Sequence, residues 1–418
     1  MASAVEIVYP TCCGIDVHKN FLVACIAKTD EKGHTKHFIH RFSTNTGDLR
    51  KLADWLEIHK CKDVCMESTG KYWIPVYNIL EKTCNVCLTH PKYVKAIKGK
   101  KTDKKDAKWI AELFKCDLVR SSFIPPFDIR QLRDLCRYHA KLTYMTSSEK
   151  NRSQNCLTTC NFKLDAVFSD VFGKSASRIL DNLIEHGHSN FDIAPLLDGR
   201  CRATVEQVAV ALDGELSYAQ SEKLKIIRKH MESLALLKGT LEGLILKLAE
   251  QYQTEITLLL TVPGISSPLT AIRIIAEIGN DMSVFETAKK LCSWAGVVPQ
   301  NNESAGKKKT TRIARAGAYL KPLLVQIALA VSSSYKHPEI KDKYQALKKR
   351  RGHKKAVIAI ARRLLSAIWH ILKKHEPYNA ELYRKANKPP ENRVLSPEQA
   401  FALLRSKGYQ IALPEPAA

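Results

Sequence analysis

The sequence predicts an α/β domain at the N-terminus, a helical middle and a mainly α C-terminal domain, and three observations carry that prediction. Strand-like and helix-like patterns alternate over the first 120 residues, as in a mixed sheet covered by helices. Apolar residues then recur at heptad spacing from Leu224 to Tyr252, the pattern of a helix with one apolar stripe. A further compact unit begins at Leu258 and runs to about His375.

The elements follow in order. Cys12–Lys28 is an apolar run interrupted by Gly14, Asp16, His18, Lys19 and Asn20, which reads as a strand, a turn and a returning strand. His37–Phe42 is a further short strand. Asp48–His59 carries Leu49, Leu52, Trp55, Leu56 and Ile58 on one helical face, opened by Thr46 and Gly47. Val64–Glu67 reads as strand, Tyr72–Lys82 as helix, Val86–Thr89 as strand and Asp103–Phe114 as helix. Pro125–Pro126 marks the first boundary, and Asp128–Asn161 and Ala176–His186 beyond it are helical. Leu224, Ile227, Met231, Leu234, Lys238, Leu241, Ile245, Leu248 and Tyr252 occupy the a/d positions of a heptad repeat, the stripe of a self-associating coiled coil or, alternatively, of an ordinary amphipathic helix in a bundle. The Pro-rich tail holds one short helix, Pro397–Lys407. The division expected is 1–122, 123–255 (coiled coil about 222–252), 256–376 and 377–418.

Charge narrows the function. The 418 residues hold 66 Lys and Arg against 42 Asp and Glu, a formal net charge of +24. Eight lysines lie between Lys92 and Lys108, and twelve Lys or Arg between Lys341 and Lys374 face Asp342 alone. A third cluster comprises Lys307, Lys308, Lys309, Arg312 and Arg315. Clustered positive charge condenses on a polyphosphate and releases counterions, so a nucleic-acid partner is expected. No long uninterrupted apolar stretch and no basic leader is seen, so an intracellular chain without a membrane partner is expected. The 13 cysteines are odd in number and lack paired zinc-ligand spacing; they read as small buried apolar residues.

Four carboxylates carry the candidate chemistry. Asp16 closes one apolar strand in Gly14-Ile15-Asp16-Val17-His18-Lys19, and Glu67 closes another in Met66-Glu67-Ser68-Thr69-Gly70. Asp103 and Asp106 open a helix in Thr102-Asp103-Lys104-Lys105-Asp106-Ala107. Singly, Asp16 reads as a turn residue, Glu67 as an edge charge and Asp103 as a helix cap. Together they form a set of oxygens of the kind that holds two divalent cations beside a phosphate, Mg2+ by default with Mn2+ possible. Downstream, Thr261-Val262-Pro263-Gly264-Ile265-Ser266 reads as the turn of a helix-hairpin-helix, whose Gly264 would offer backbone N–H to a phosphate. Ser304 lies in a polar loop ahead of the third basic cluster, with no nearby His to form a hydrolase triad.

These motifs together resemble the DEDD transposases of the IS-one-ten/IS-eleven-eleven insertion-sequence group. The resemblance rests on GIDVHK, MESTG and KTDKKDA in the first part of the chain. In the last part it rests on TVPGIS, GVVP-QNNE-SAG and Ile313-Ala314-Arg315-Ala316-Gly317. It implies a RuvC-like (RNase H-type) N-terminal domain whose Asp16, Glu67, Asp103 and Asp106 bind Mg2+. It also implies a C-terminal transposase domain with Ser304 as nucleophile, Ser293 being the fallback. The activity implied is recombination of donor and target DNA guided by a structured non-coding RNA, through a serine–DNA link, in a homo-oligomeric (dimeric or tetrameric), cytoplasmic, nucleoid-associated protein of a bacterial cell. Lys98, Lys100, Lys101, Lys104, Lys105, Gly264, Lys307, Lys308, Lys309, Arg312 and Arg315 are the expected nucleic-acid contacts. The chain has Ser304-Ala305-Gly306 where the family commonly has Ser-Gly, and Arg315 where it has Lys. The alternatives are a metal-dependent, junction-resolving nuclease using the same acids and water, and an inactive nucleic-acid-binding descendant. A sugar-kinase-like ATPase shares the opening Gly-Ile-Asp but needs glycine-rich phosphate loops, which this sequence lacks.

Overall fold

The computed structural model describes residues 6–68, 70–91, 102–299, 302–304, 307–310, 312–381, 396–406 and 408. The expected contacts Lys98, Lys100 and Lys101 lie outside these residues.

An antiparallel meander opens the chain: β1 (Thr11–Val17), β2 (Phe21–Thr29) and β3 (Thr35–Ser43). Two-residue alternation cannot persist in β1 and β2, because the sheet is covered on both faces and the strands read as nearly continuous apolar runs. The α1 helix (Thr46–Ile58) then crosses to β4 (Asp63–Glu67), and α2 (Trp73–Leu80) crosses to β5 (Asn85–Thr89). Both β1–β4 and β4–β5 are parallel pairs, which require such crossovers. The sheet order is β3-β2-β1-β4-β5. One face packs Cys13, Ile15, Leu22 and Ile26 against Leu49, Leu52 and Leu56 of α1 and Val76 and Leu80 of α2. The other is covered by α3 (Asp103–Lys115), with Ile110, Ala111 and Phe114 on Cys12, Ala27 and Cys65. A mixed five-stranded sheet flanked by helices is consistent with the RuvC-like start expected from sequence, and nearly all of the rest is helical.

The chain divides into two compact units, Met1–Leu241 and Glu242–Ala418. The first unit continues with α4 (Phe127–Thr159), α5 (Leu164–Val167), α6 (Lys174–His186), α7 (Val205–Ala211) and the first part of α8 (Tyr218–Leu248). Leu224 and Ile227 are buried with Leu157, Phe162, Ile179 and Val208, and Met231 packs on the same cluster. The start of the heptad stripe therefore faces its own unit.

The second unit contains α9 (Gln253–Leu260), α10 (Pro268–Ile278) and α11 (Ala288–Trp294). A hairpin of β6 (Asn302–Ser304) and β7 (Lys307–Thr310) follows. The remaining helices are α12 (Leu320–Ser333), α13 (Pro338–Arg351), α14 (His353–Lys374) and α15 (Pro397–Ser406). The core of the unit forms around α14, which buries Val357, Ile360, Leu364, Leu365 and Ile368 and packs against α11, α12 and α13. No described helix is long and apolar enough to cross a membrane. All 13 cysteines are free, most of them buried, and burial pushes the Cys12 and Cys61 thiols up to about 12.

Candidate metal centre and serine hairpin

Strand register brings the first two acids together. Ile15 of β1 lies opposite Met66 of the parallel β4, so Asp16 and Glu67 follow one step later at the carboxyl ends of adjacent strands. Asp16 shares its face with Cys12, and Glu67 shares its face with Cys65. Both of those cysteines pack under α3, so both acids lie on the α3 side of the sheet.

The approach of α3 depends on Gly14. A Cβ there would stand 2.3 Å from the Ala111 nitrogen and 2.4 Å from the Ala107 oxygen, far inside van der Waals contact. Gly14, Ala107 and Ala111 together let helix and strand backbones touch, and the N-terminus of α3 reaches the end of β1. Thr102 caps that helix, accepting from the Lys105 backbone N–H. The cap is thus one residue earlier than Asp103 read alone suggests, and Asp103 is left to point elsewhere. It points at His18: Nε2 of His18 lies 3.5 Å from Asp103 Oδ1 and 3.2 Å from Asp16 Oδ2. Ligand atoms of Asp16, His18 and Asp103 all fall within 4.8 Å of one another.

The electrostatics of this cluster are unfavourable without a cation. Burial pushes the Asp16 carboxyl above its ordinary value, and repulsion from Asp106, Asp103 and Glu67 adds to the rise, with His18 opposing it. Asp16 therefore feels all three other predicted acids. The buried Nε2 of His18 has no hydrogen-bond partner, so its contacts with the two carboxylates are close but misaligned. Clustered carboxylate oxygens with an unsatisfied nitrogen at their centre fit a hard divalent cation.

A second network holds α3 in place. Lys115, at 10% side-chain exposure, donates to Glu112 at 2.7 Å and to Thr35 of β3 at 3.1 Å. His37 of β3 lies 2.6 Å from the same Glu112. Burial alone would raise the Glu112 carboxyl, but the bonds from Lys115 and His37 overcome it and hold the group low.

The remaining predicted residues are scattered. Lys104 and Lys105 are exposed on the first turn of α3, beside Asp103. Gly264 adopts φ +86° in the turn between α9 and α10, and a Cβ there would meet Ile327 Cγ2 at 2.9 Å. Its glycine is thus required by turn conformation and by packing on α12. The polar loop expected around Ser304 is a hairpin, with Ser304 in β6 opposite Lys307 in β7. Lys307, Lys308 and Lys309 all belong to β7. The stem closes by a bridge between Pro299 and Ile313. Arg312, Arg315 and Ser293 are exposed.

Two residues of the centre escape a reading of the sequence. Nothing local assigns His18 to the site, although it follows Asp16 at the two-residue spacing that keeps side chains on one face of a strand. Gly14 gives no sequence signal of its function, because its meaning lies in a helix ninety-odd residues later.

Two family models match the chain, a DEDD transposase model over residues 13–162 and the transposase IS116/IS110/IS902 family over residues 256–345. Among curated proteins, the chain is similar to a transposase for insertion sequence element IS1111A of Coxiella burnetii, at 31% identity over 28% of this chain and 33% of that protein. It is similar to an insertion element IS900 uncharacterized 42 kDa protein of Mycobacterium paratuberculosis, at 30% identity over 29% of this chain and 30% of that one. The chain thus spans about a third of the length of these two relatives. A pilin gene-inverting protein of Moraxella bovis aligns at 23% identity over 88% of this chain and 98% of its own length.

Proposed function

The chain belongs to the IS110-type family of transposases, and from that premise we propose that it is a DNA transposase or recombinase working by phosphoryl transfer. The observation that carries the reading is the convergence of Asp16 and Asp103 on His18 Nε2, with Glu67 and Asp106 raising the Asp16 carboxyl. Asp16, Glu67, Asp103 and Asp106 are the residues that would hold Mg2+, with Mn2+ able to replace it. When bound, the ions supply positive charge beside a scissile phosphate.

The chain's own residues supply the rest. Ser304 is the proposed nucleophile: its Oγ gives up its proton to water and forms a bond to phosphorus, the bond from phosphorus to one deoxyribose oxygen breaks, and that oxygen takes up a proton from water. Its place in a two-stranded hairpin whose second strand is lysine-rich and is followed by the exposed Arg312 and Arg315 supports a charge-rich setting in which phosphate is welcome. Lys104 and Lys105, exposed beside Asp103, would bind backbone phosphates and hold the strand against the acids. Donor and target DNA and a structured guide RNA are the proposed partners, in a bacterial cytoplasm at the nucleoid. Gly264, in its turn, would offer backbone to a phosphate. A homo-oligomer, dimer or tetramer, is proposed through α8. Leu236, Leu237, Leu244 and Leu246 leave that helix with exposures of 73%, 50%, 45% and 46%, more apolar surface than a solvated helix face presents.

Trapping the intermediate tests the proposal. Wild-type protein with Mg2+, substrate DNA and guide RNA should yield a covalent protein–DNA adduct on a denaturing gel, absent in Ser304→Ala. Cleavage of DNA by both proteins with no adduct in either would favour the metal-dependent nuclease instead.

A further inference from the structure

The second unit contains a cavity of about 1370 Å3, of whose lining the proposed chemistry uses only Arg312. Two helices, a hairpin stem and the segment Glu376–Asn379 beyond α14 line it. The α13 helix contributes Lys343, Leu347 and Arg351, and α14 contributes residues from Lys354 to Lys374. The third wall is the stem of the serine hairpin, with Val297 and Pro299 on its entering side and Arg312 and Ile313 on its leaving side. Gly352, at φ +82°, turns α13 into α14, and Tyr344 Oη sits 2.7 Å from His353 Nδ1 across that corner. The corner therefore fixes the angle at which the two helices diverge.

The lining divides by chemistry. Its floor is apolar, from Val297, Ile313, Leu347, Ile358 and Ile371. Its rims carry eight Lys or Arg, and the one acid of the lining is Glu376. Lys355, Arg362 and Lys374 form no ion pair with any described acid. From Lys355 to Lys374 these charges follow one another along α14 for about 28 Å at 1.5 Å per residue. Such a row repels itself and gains energy only by neutralising a polyanion.

We infer that this groove is the track for an unpaired DNA strand, which it leads to the Ser304 hairpin. The inference rests on the transposase reading above and extends it to a substrate. A lone phosphate or nucleotide is too small for the space, since sites of about 300–1,000 Å3 already enclose whole small ligands. A duplex would offer phosphates to the rims but nothing to the floor, because its base faces are stacked inside. An unpaired strand satisfies both, with phosphates on the rims and base faces on the apolar floor. The hairpin stem is part of the wall, so a strand lying there passes the base of the element that carries Ser304.

The test uses full-length protein and fluorescence anisotropy with a single-stranded DNA oligonucleotide of about 16 nucleotides. The same sequence as duplex and as RNA, and a poly-glutamate competitor, form the other arms. Lys355→Gln/Arg362→Gln should weaken single-strand binding at least tenfold and flatten its salt slope by about 1.4, two contacts at about 0.7 each. Lys343→Gln/Lys374→Gln, at the two ends of the groove, should do the same if the first pair fails to fold. Ser304→Ala should bind the strand as wild type does while losing the adduct, so a failed chemistry and a failed groove are told apart. Unchanged single-strand affinity in both neutralised pairs overturns the inference, as does a loss confined to duplex or RNA, or displacement by poly-glutamate as effective as by DNA.

Discussion

Two crowds of like charge, one at the strand ends of the N-terminal sheet and one along α14, are built from different materials. The acids are positioned by backbone: strand register sets Asp16 beside Glu67, and the Gly14 contact sets the start of α3 over both. The α14 cations Lys355, Arg362 and Lys374 stand on the exposed side of one helix, placed by side-chain length on long, rotatable stems. The difference bears on the role proposed for each region. Fixed oxygens suit an ion whose geometry is exacting, whereas flexible ammonium and guanidinium groups suit a polymer whose path varies.

The largest expected effect removes the fixed site. Asp16→Ala or Glu67→Ala should reduce strand exchange a thousandfold or more, about 4 kcal/mol of transition-state stabilisation or greater. RNA binding, measured by gel shift, should remain near wild type. Full recombination by either variant would refute the site, and with it the contrast between the two regions.

Gly14→Ala attacks the backbone placement itself. Its Cβ meets backbone atoms at 2.3 and 2.4 Å, which cannot rotate away, so a loss of about 1–3 kcal/mol is expected in urea unfolding. The equivalent insult to the cationic region, Ala359→Leu on the groove side of α14, should cost less than half as much. Equal losses would mean that both regions are packed to the same tolerance.

Glu112→Gln should cost about 1 kcal/mol, discounted because the carboxylate is 31% exposed. Its depressed carboxyl makes the contribution pH-dependent in a defined sense. The stabilisation is present above the unfolded value of a glutamate and is lost as pH falls through the lower folded one. A wild-type minus mutant difference that grows on acidification would contradict this.

Asp16 has the opposite sign. Its carboxyl is raised in the folded chain, so below the unfolded value it costs nothing. Its penalty develops as pH rises from there through the folded value and persists above it. Without divalent metal, Asp16→Asn should therefore be slightly more stable than wild type at neutral pH, and the two should converge in acid.

Most of the N-terminal sheet was legible because hairpins and crossovers announce themselves locally. The pattern placed β4 at Val64–Glu67 and α3 at Asp103–Phe114, within a residue of Asp63–Glu67 and Asp103–Lys115. Asp16 and Glu67 stood out because a charge closing an apolar strand is locally odd. His18 did not, since a histidine beside Lys19 and Asn20 looks like any turn residue until Asp103 arrives from another element. The hairpin of Ser304 was hidden because three lysines in four residues read as a charge cluster rather than a strand, and its pairing partner is three residues long. The heptad stripe was legible as a stripe but not in its destination, because Leu224 and Ile227 meet apolar side chains from α4, α6 and α7 that no local pattern reveals.

Thermal unfolding with and without millimolar Mg2+ at neutral pH, run in parallel on wild type and Asp16→Asn, probes the centre most directly. Wild type should start lower and rise with Mg2+, by the stabilisation that binding to the folded state alone confers. Asp16→Asn should start higher and stay where it is. A wild-type midpoint indifferent to Mg2+, or a mutant that rises equally with it, would mean that these oxygens do not hold the ion.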